Sequence, residues 1–260
     1  MNAINEIINV SELYFKYDSN QNYSLENINF KLNANEILVI LGQSGCGKTT
    51  LFKNLLALEK PERGAIVIDG SVIDSGKKNL VNNYYRKIGV LFQSGALINS
   101  LNIFENLKLP LDEMTNLDDD LKKIIIKLKL NWVGLENIES SMPSELSGGM
   151  KKRAALARAI MLDPKILYFD EPHSGLDPLI TNDINNLIFR IREAFKITLV
   201  VITHDINSAL FLADKILMLN KGKPHFFGTK TEFEKLIQTD SYIKEFVTIS
   251  ISKLSLKNVN

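Results

Sequence analysis

The run Gly42-Gln43-Ser44-Gly45-Cys46-Gly47-Lys48-Thr49 constrains this chain more than any other segment. It follows a short, wholly apolar run at 37–41 and precedes a segment, 50–58, that reads as a helix ended by Pro61. Strand, glycine loop and helix in that order form a phosphate cradle. Glycines let backbone N–H groups converge on phosphate oxygens, and the helix N-terminus adds a favourable dipole. Lys48 is expected to reach the β- and γ-phosphates. The Thr49 hydroxyl is expected to hold Mg²⁺, with Thr50 opening the helix beside it. Cys46, the one cysteine, excludes a disulfide framework and reads as inert packing in the loop, where alkylation would block nucleotide.

Around the cradle, apolar patterning sets the fold class. Residues 10–17 and 28–32 alternate as half-exposed strands do, and 65–69 and 88–92 are further strands. The short apolar runs 37–41, 166–169, 199–202 and 216–219 are those of strands buried on both faces. From Gln93 to about Ser147 the character is helical, and Leu117, Leu121, Ile124, Ile125 and Leu128 fall on one face at helical spacing. Ser147 can cap a helix reaching Leu162, and Ile184, Leu187, Ile188, Ile191 and Phe195 mark another. Thr231 and Glu234 suggest a capping box for a helix through Ile237. After Val247 the tail, rich in Ser, Lys and Asn, shows no amphipathic repeat and is expected to be loosely held. Such alternation predicts an α/β protein with a largely parallel sheet.

The totals narrow the function classes. With 260 residues, 45% hydrophobic and 23% charged, the chain can bury a sizeable core, and a net charge of +1 gives no electrostatic footprint for nucleic acid. No apolar stretch is long enough for a membrane span, and the N-terminal segment lacks a secretion signal. The expectation is a cytosolic protein whose membrane work, if any, is done through other chains.

Two carboxylates end the apolar run at 166–169. Asp170 is expected to hold Mg²⁺ through water and Glu171 to polarise the attacking water. His204 follows the strand at 199–202 and is read as contacting the γ-phosphate and ordering water and Glu171. Gln93 closes a strand with a neutral side chain able to touch metal or water, and leads into the helical segment. Leu146-Ser147-Gly148-Gly149-Met150 opens a helix with a second anion-binding turn, and Ser174-Gly175-Leu176-Asp177 forms a loop after the carboxylates.

These motifs, in this order over about residues 10–246, resemble the ATP-binding subunit of an ABC transporter. The resemblance implies a P-loop NTPase fold of ABC type, with a RecA-like mixed-sheet core (1–93 and 163–247, with N-terminal antiparallel strands). It implies an inserted α-helical subdomain at 94–162 carrying the Ser147–Met150 signature, leaving 248–260 as the tail. It further implies a head-to-tail homodimer with ATP at the seam. Ser147, Gly148, Gly149 and Met150 would cap the other copy's ATP, and Ser174, Gly175, Leu176 and Asp177 would form the seam loop. Tyr17 falls where the family stacks an aromatic on adenine. His173 stands where related chains usually carry Thr, Ser or an aromatic, and reads as a neutral substitution.

Finer resemblance lies in Leu91-Phe92-Gln93-Ser94-Gly95-Ala96-Leu97, in Met142-Pro143-Ser144-Glu145, and in Met150, where most ABC ATPases carry Gln. These look like the ATPases of Mla-type, MCE-associated phospholipid transporters. That resemblance implies an integral-membrane permease pair, an MCE-domain protein and a small cytosolic regulatory subunit as partners. The cofactors would be ATP and Mg²⁺, and the location the cytoplasmic face of the inner membrane. An ABC ATPase for another cargo (amino acid, lipoprotein or other small molecule) and a non-transport ABC ATPase are the alternatives.

Overall fold

Apolar runs with no polar interruption fold as strands buried on both faces, because a sheet flanked by helices leaves neither face to water. In the computed structural model, which describes residues 5–17 and 22–257, Ile37–Leu41 and Thr198–Ile202 are buried throughout. In chain order the elements are β1 (Glu6–Phe15), β2 (Leu25–Asn33), β3 (Ile37–Leu41), α1 (Lys48–Leu55), β4 (Arg63–Ile68), β5 (Ser71–Val72), α2 (Lys78–Tyr85) and β6 (Ile88–Leu91). There follow α3 (Ile103–Met114), α4 (Asp119–Trp132), a 3-10 turn (Pro143–Glu145), α5 (Gly148–Ala159), β7 (Ile166–Asp170), α6 (Pro178–Phe195) and β8 (Thr198–Ile202). Helix α7 (Ile206–Leu212), β9 (Lys215–Asn220), β10 (Lys223–Thr229), α8 (Lys230–Leu236) and α9 (Ser241–Lys257) complete the described chain.

The chain forms two compact units. One takes the described residues up to Val81 and from Val200 onward, the other is Asn82–Leu199, and a boundary falls inside β8. The first unit holds an antiparallel sheet ordered β2-β1-β4-β5 and a second sheet segment ordered β10-β9-β3-β8. Along β2, Leu25, Ile28, Phe30 and Leu32 are buried while intervening side chains face outward, the alternation of a half-covered sheet. Strand β3 pairs parallel with β9 from Leu38↔Lys215 to Leu41↔Met218, which sets the end of β3 at the start of the glycine loop.

In the second unit β6 and β7 pair in parallel from Ile88↔Ile166 to Leu91↔Phe169, with α3–α6 in the same unit. Asn102 and Glu105 form a reciprocal capping box on α3. Gly89 is required by close approach: a Cβ there would lie 2.0 Å from the Ala159 carbonyl oxygen and 2.7 Å from Leu167 Cδ1.

The apolar stripe on α4 is largely exposed, with Leu121, Ile124 and Leu128 at 46%, 57% and 55%. The buried face carries Lys122, Ile126, Lys129 and Leu130. The two lysines lay their stems inward and send their ammonium groups out to Asp112 and Asp163, so charged residues take positions that a hydrophobicity count gives to leucine. The box on α8 is Thr229 with Glu232, because β10 runs directly into the helix and leaves Thr231 within its first turn. Helix α2 starts at Lys78.

The tail, expected to be loosely held, is helical through Lys257; its last three positions lie outside the described residues. Asp240 accepts the Ile243 amide at 2.9 Å, and Ile243, Phe246 and Val247 supply a buried face at helical spacing. The Thr248 and Ser250 hydroxyls donate to the Lys244 and Phe246 carbonyls, each at 2.8 Å, which absorbs side chains that otherwise compete with helix.

Gly89→Ala is expected to destabilise the fold by about 1–3 kcal/mol, since the obstructing atom is backbone and cannot swing away. A lowered midpoint in urea denaturation checks this; an unchanged midpoint contradicts the close packing of β6 on α5.

Candidate active site

The glycine loop is built by steric exclusion. Gly42 has φ +148°, and a Cβ there would sit 2.5 Å from both Cys46 Sγ and the Leu219 carbonyl oxygen. Gly47, at φ +107°, is the N-cap of α1, and no side chain caps that helix start. A Cβ on Gly47 would come within 3.0 Å of Leu25 Cδ2 and the Ser24 carbonyl oxygen. Above Gly45 there is open space, with nothing within 4 Å of an added Cβ, while Gln43, Ser44 and Thr49 are exposed. A loop tightly packed beneath and open above, ending on an uncapped helix N-terminus, has the form and polarity to take a phosphate.

Lys48 is 9% exposed, and its Nζ donates to the carbonyls of Gly42 at 2.7 Å and Gln43 at 3.0 Å. The ammonium therefore lies within the loop, with Cys46 Sγ 4.0 Å away. Burial pushes the Cys46 thiol up from its ordinary range, opposed by the positive charge of Lys48. The Cys46 carbonyl accepts the Gly222 amide at 3.0 Å, tying the loop to the β9–β10 turn. Tyr17 is half-buried, its ring edge-on to Phe15 at 4.9 Å and its hydroxyl 3.4 Å from Thr50 Oγ1. His204 is exposed just after β8, and the next residue, Asp205, caps α7 by accepting the amides of Asn207 and Ser208.

The remaining expected residues belong to the second unit. Asp170 ends β7 after four buried apolar residues, and both it and Glu171 are partly exposed. Glu171 has φ +49°, the left-handed region that a non-glycine residue rarely adopts. Gln93 donates from Nε2 to Ser174 Oγ at 3.0 Å, and the Ser174 amide donates to the Glu171 carbonyl at 3.1 Å. Ser147 caps α5 by accepting the Met150 amide at 3.3 Å. Gly148 is exposed, while Gly149 is buried, its missing Cβ leaving room for Ile180. Gly175 turns with φ +77°, Leu176 donates its amide to His173, and Asp177 caps α6 on the amides of Leu179 and Ile180. Thus Gln93, Ser174 and Glu171 are brought together within one unit. Tyr17, the glycine loop and His204 belong to the other.

Reading the residues overlooked Lys152. It is 7% exposed on α5 and donates to the Gln93 carbonyl. Burial lowers its pKa, against the carboxylates of Asp170 and Glu171, which favour its charge. The only sequence signal was a lysine one turn inside a helix whose buried face is otherwise mostly alanine and leucine.

Comparison with known proteins decides the family. A model described as ABC transporter matches residues 25–174, more than half of the chain. The chain belongs to the ABC transporter family. It is 40% identical to the intermembrane phospholipid transport system ATP-binding protein MlaF of Haemophilus influenzae, over 90% of this chain and 86% of that protein. It is also 40% identical to the probable ribonucleotide transport ATP-binding protein mkl of Mycobacterium bovis, over 85% of this chain but 61% of that one. Among solved structures, the bacterial ABC transporter cassette MJ0796, described both as a dimer and in a post-hydrolysis state bound to ADP and Pi, superposes with a TM-score of 0.77. It is 30% identical and covers 86% of this chain and 99% of that one. The chain is therefore an ATP-binding, ATP-hydrolysing subunit of ABC type, with that family's mixed α/β fold. Among the described residues no helix is long and apolar enough to cross a membrane.

Burial and the raised pKa make Cys46 a poor nucleophile in the folded protein. Its alkylation by iodoacetamide at neutral pH is expected to run at least about tenfold slower than in the urea-unfolded chain, and to accelerate only above the pH range of an ordinary thiol. Equal rates, followed by mass spectrometry, contradict the buried placement.

Proposed function

We propose that this chain is the ATPase of a transporter that moves phospholipid between membranes of the cell envelope. The observation that carries the ATPase half is the Gly42–Gly47 geometry, tightly packed at Gly42 and Gly47, open at Gly45 and leading into an uncapped helix start. The cargo rests on the 40% identity to MlaF over most of both chains. The equally identical mkl relative keeps ribonucleotide as a second reading, weaker because this chain spans less than two thirds of that protein.

In this reading residues 1–93 and 163–247 form the core and 94–162 the helical subdomain. Backbone amides from Gly42 to Thr50, with the Lys48 ammonium, bind the phosphates, and Tyr17 stacks on adenine. Thr49, Gln93 and Asp170 would hold Mg²⁺ through oxygen, and the ion would supply neutralisation of phosphate charge. Their hard oxygen donors suit that ion. Among the described residues no group of three His, Cys, Asp or Glu is placed to hold a metal ion. Glu171 accepts the proton of the attacking water. The water oxygen bonds to the γ-phosphorus as the bond to the ADP oxygen breaks, and His204 contacts the γ-phosphate.

Two copies bind head to tail, so that Ser147, Gly148, Gly149 and Met150 of each cap the ATP of the other, while Ser174, Gly175, Leu176 and Asp177 form the seam loop. The dimer drives an integral-membrane permease pair from the cytoplasmic face of the inner membrane, together with an MCE-domain protein and a small cytosolic regulatory subunit.

Paired variants test this mechanism. Glu171→Gln is expected to bind ATP, lose turnover by about a hundredfold or more and accumulate as a dimer. Ser147→Arg is expected to keep nucleotide binding by the single subunit while abolishing turnover. Near-normal hydrolysis by Glu171→Gln ends its assignment as base, and loss of monomer binding in Ser147→Arg means that the turn acts within its own copy.

A further inference from the structure

Helix α5 begins at the Ser147 turn, and two of its cations grip one short stretch of backbone. The Lys152 ammonium donates to the carbonyl of Gln93, and Arg158 Nη2 donates to the carbonyl of Gly95 at 3.2 Å. Arg158 also reaches Asn106 Oδ1 at 3.4 Å, and the fully buried Asn106 amide donates to the Ile98 carbonyl at 3.0 Å. The 93–98 backbone is thereby fastened to α5 and α3 rather than left as a free loop. From Gln93 the contacts continue: side chain to Ser174 Oγ, then Ser174 amide to the Glu171 carbonyl. Every member of this chain of contacts lies in the second unit.

A buried lysine is costly unless something needs its charge. An apolar side chain would fill the same space on α5 but would leave the Gln93 carbonyl without this donor and Asp170 and Glu171 without the nearby cation. We propose that Lys152 is a positioning residue for ATP hydrolysis. Its ammonium, fixed to the Gln93 carbonyl, holds the Gln93 side chain and the Glu171 backbone in register with the start of α5. This inference rests on the assignment of Glu171 and Gln93 to the hydrolytic site and adds a residue that does not itself touch nucleotide.

A purely structural lysine would lower stability and leave the catalytic constants alone. A positioning lysine would lower kcat with little change in ATP affinity. The test compares the full chain carrying Lys152→Met, which loses donor and charge, Lys152→Gln, which keeps a donor, and Lys152→Arg, which keeps both. Steady-state ATPase constants, ATP affinity, thermal stability and amide hydrogen exchange over 92–96 are measured for each. Lys152→Met is expected to lose about tenfold or more in kcat, with affinity for ATP within about twofold of the parent and faster exchange over 92–96. Lys152→Arg is expected to recover most of the rate and the protection, and Lys152→Gln to fall between.

The proposal is overturned if Lys152→Met, or Lys152→Gln should the former fail to fold, keeps more than half of kcat. It is equally overturned if Lys152→Arg is as impaired as Lys152→Met. If the parent and Glu171→Gln hydrolyse ATP alike, the underlying assignment of the site fails instead, which the same assays distinguish from a failure of Lys152 alone.

Discussion

The arrangement of the first unit turns on how closely the glycine loop is packed from below. The Leu219 carbonyl and the Cys46 sulfur occupy the space where a Gly42 side chain would project, while Ser24 and Leu25 do the same beneath Gly47. Backbone so confined leaves no room for a side chain at Gly42 or Gly47. The register of β3 with β9 and the Cys46–Gly222 hydrogen bond hold the floor of the loop in place. Lys48 follows from the same confinement, since two loop carbonyls fix its ammonium and limit the rotamers it must give up on binding.

In the second unit the organising contacts are cation-to-carbonyl and amide-to-hydroxyl bonds that tie irregular segments to one another and to α5. Asp170 and Glu171 follow from β7, whose burial ends where the carboxylates begin. The positive φ of Glu171 turns the chain sharply at that point, and the Ser174 amide steadies the turn. Backbone strain of this kind persists when the surroundings over-determine it, and the contacts through Ser174, Gln93 and Lys152 supply that support.

Much of this was legible in the chain itself. The runs at 37–41, 166–169 and 199–202 could be placed because a strand covered on both faces tolerates no polar residue, and Ser147 could be placed because its hydroxyl suits an N-cap. The buried face of α4 was not legible because Lys122 and Lys129 bury their stems, which composition scores as polar. Strand β10 was overlooked because Pro224, His225 and Gly228 interrupt its pattern, and α9 because its serines and threonine satisfy themselves on helix carbonyls. The role of Lys152 could not be read at all, since nothing in a sequence distinguishes a lysine that reaches inward from one that reaches water.

The measurement that most directly tests the account is affinity capture of the tagged chain from detergent-solubilised native membranes, with mass spectrometry of proteins and lipids together. The account predicts recovery of a polytopic permease, an MCE-domain protein and phospholipid in amounts that follow the tagged subunit. Recovery of a different permease without phospholipid enrichment contradicts the cargo, and recovery of no membrane protein contradicts the transport role itself.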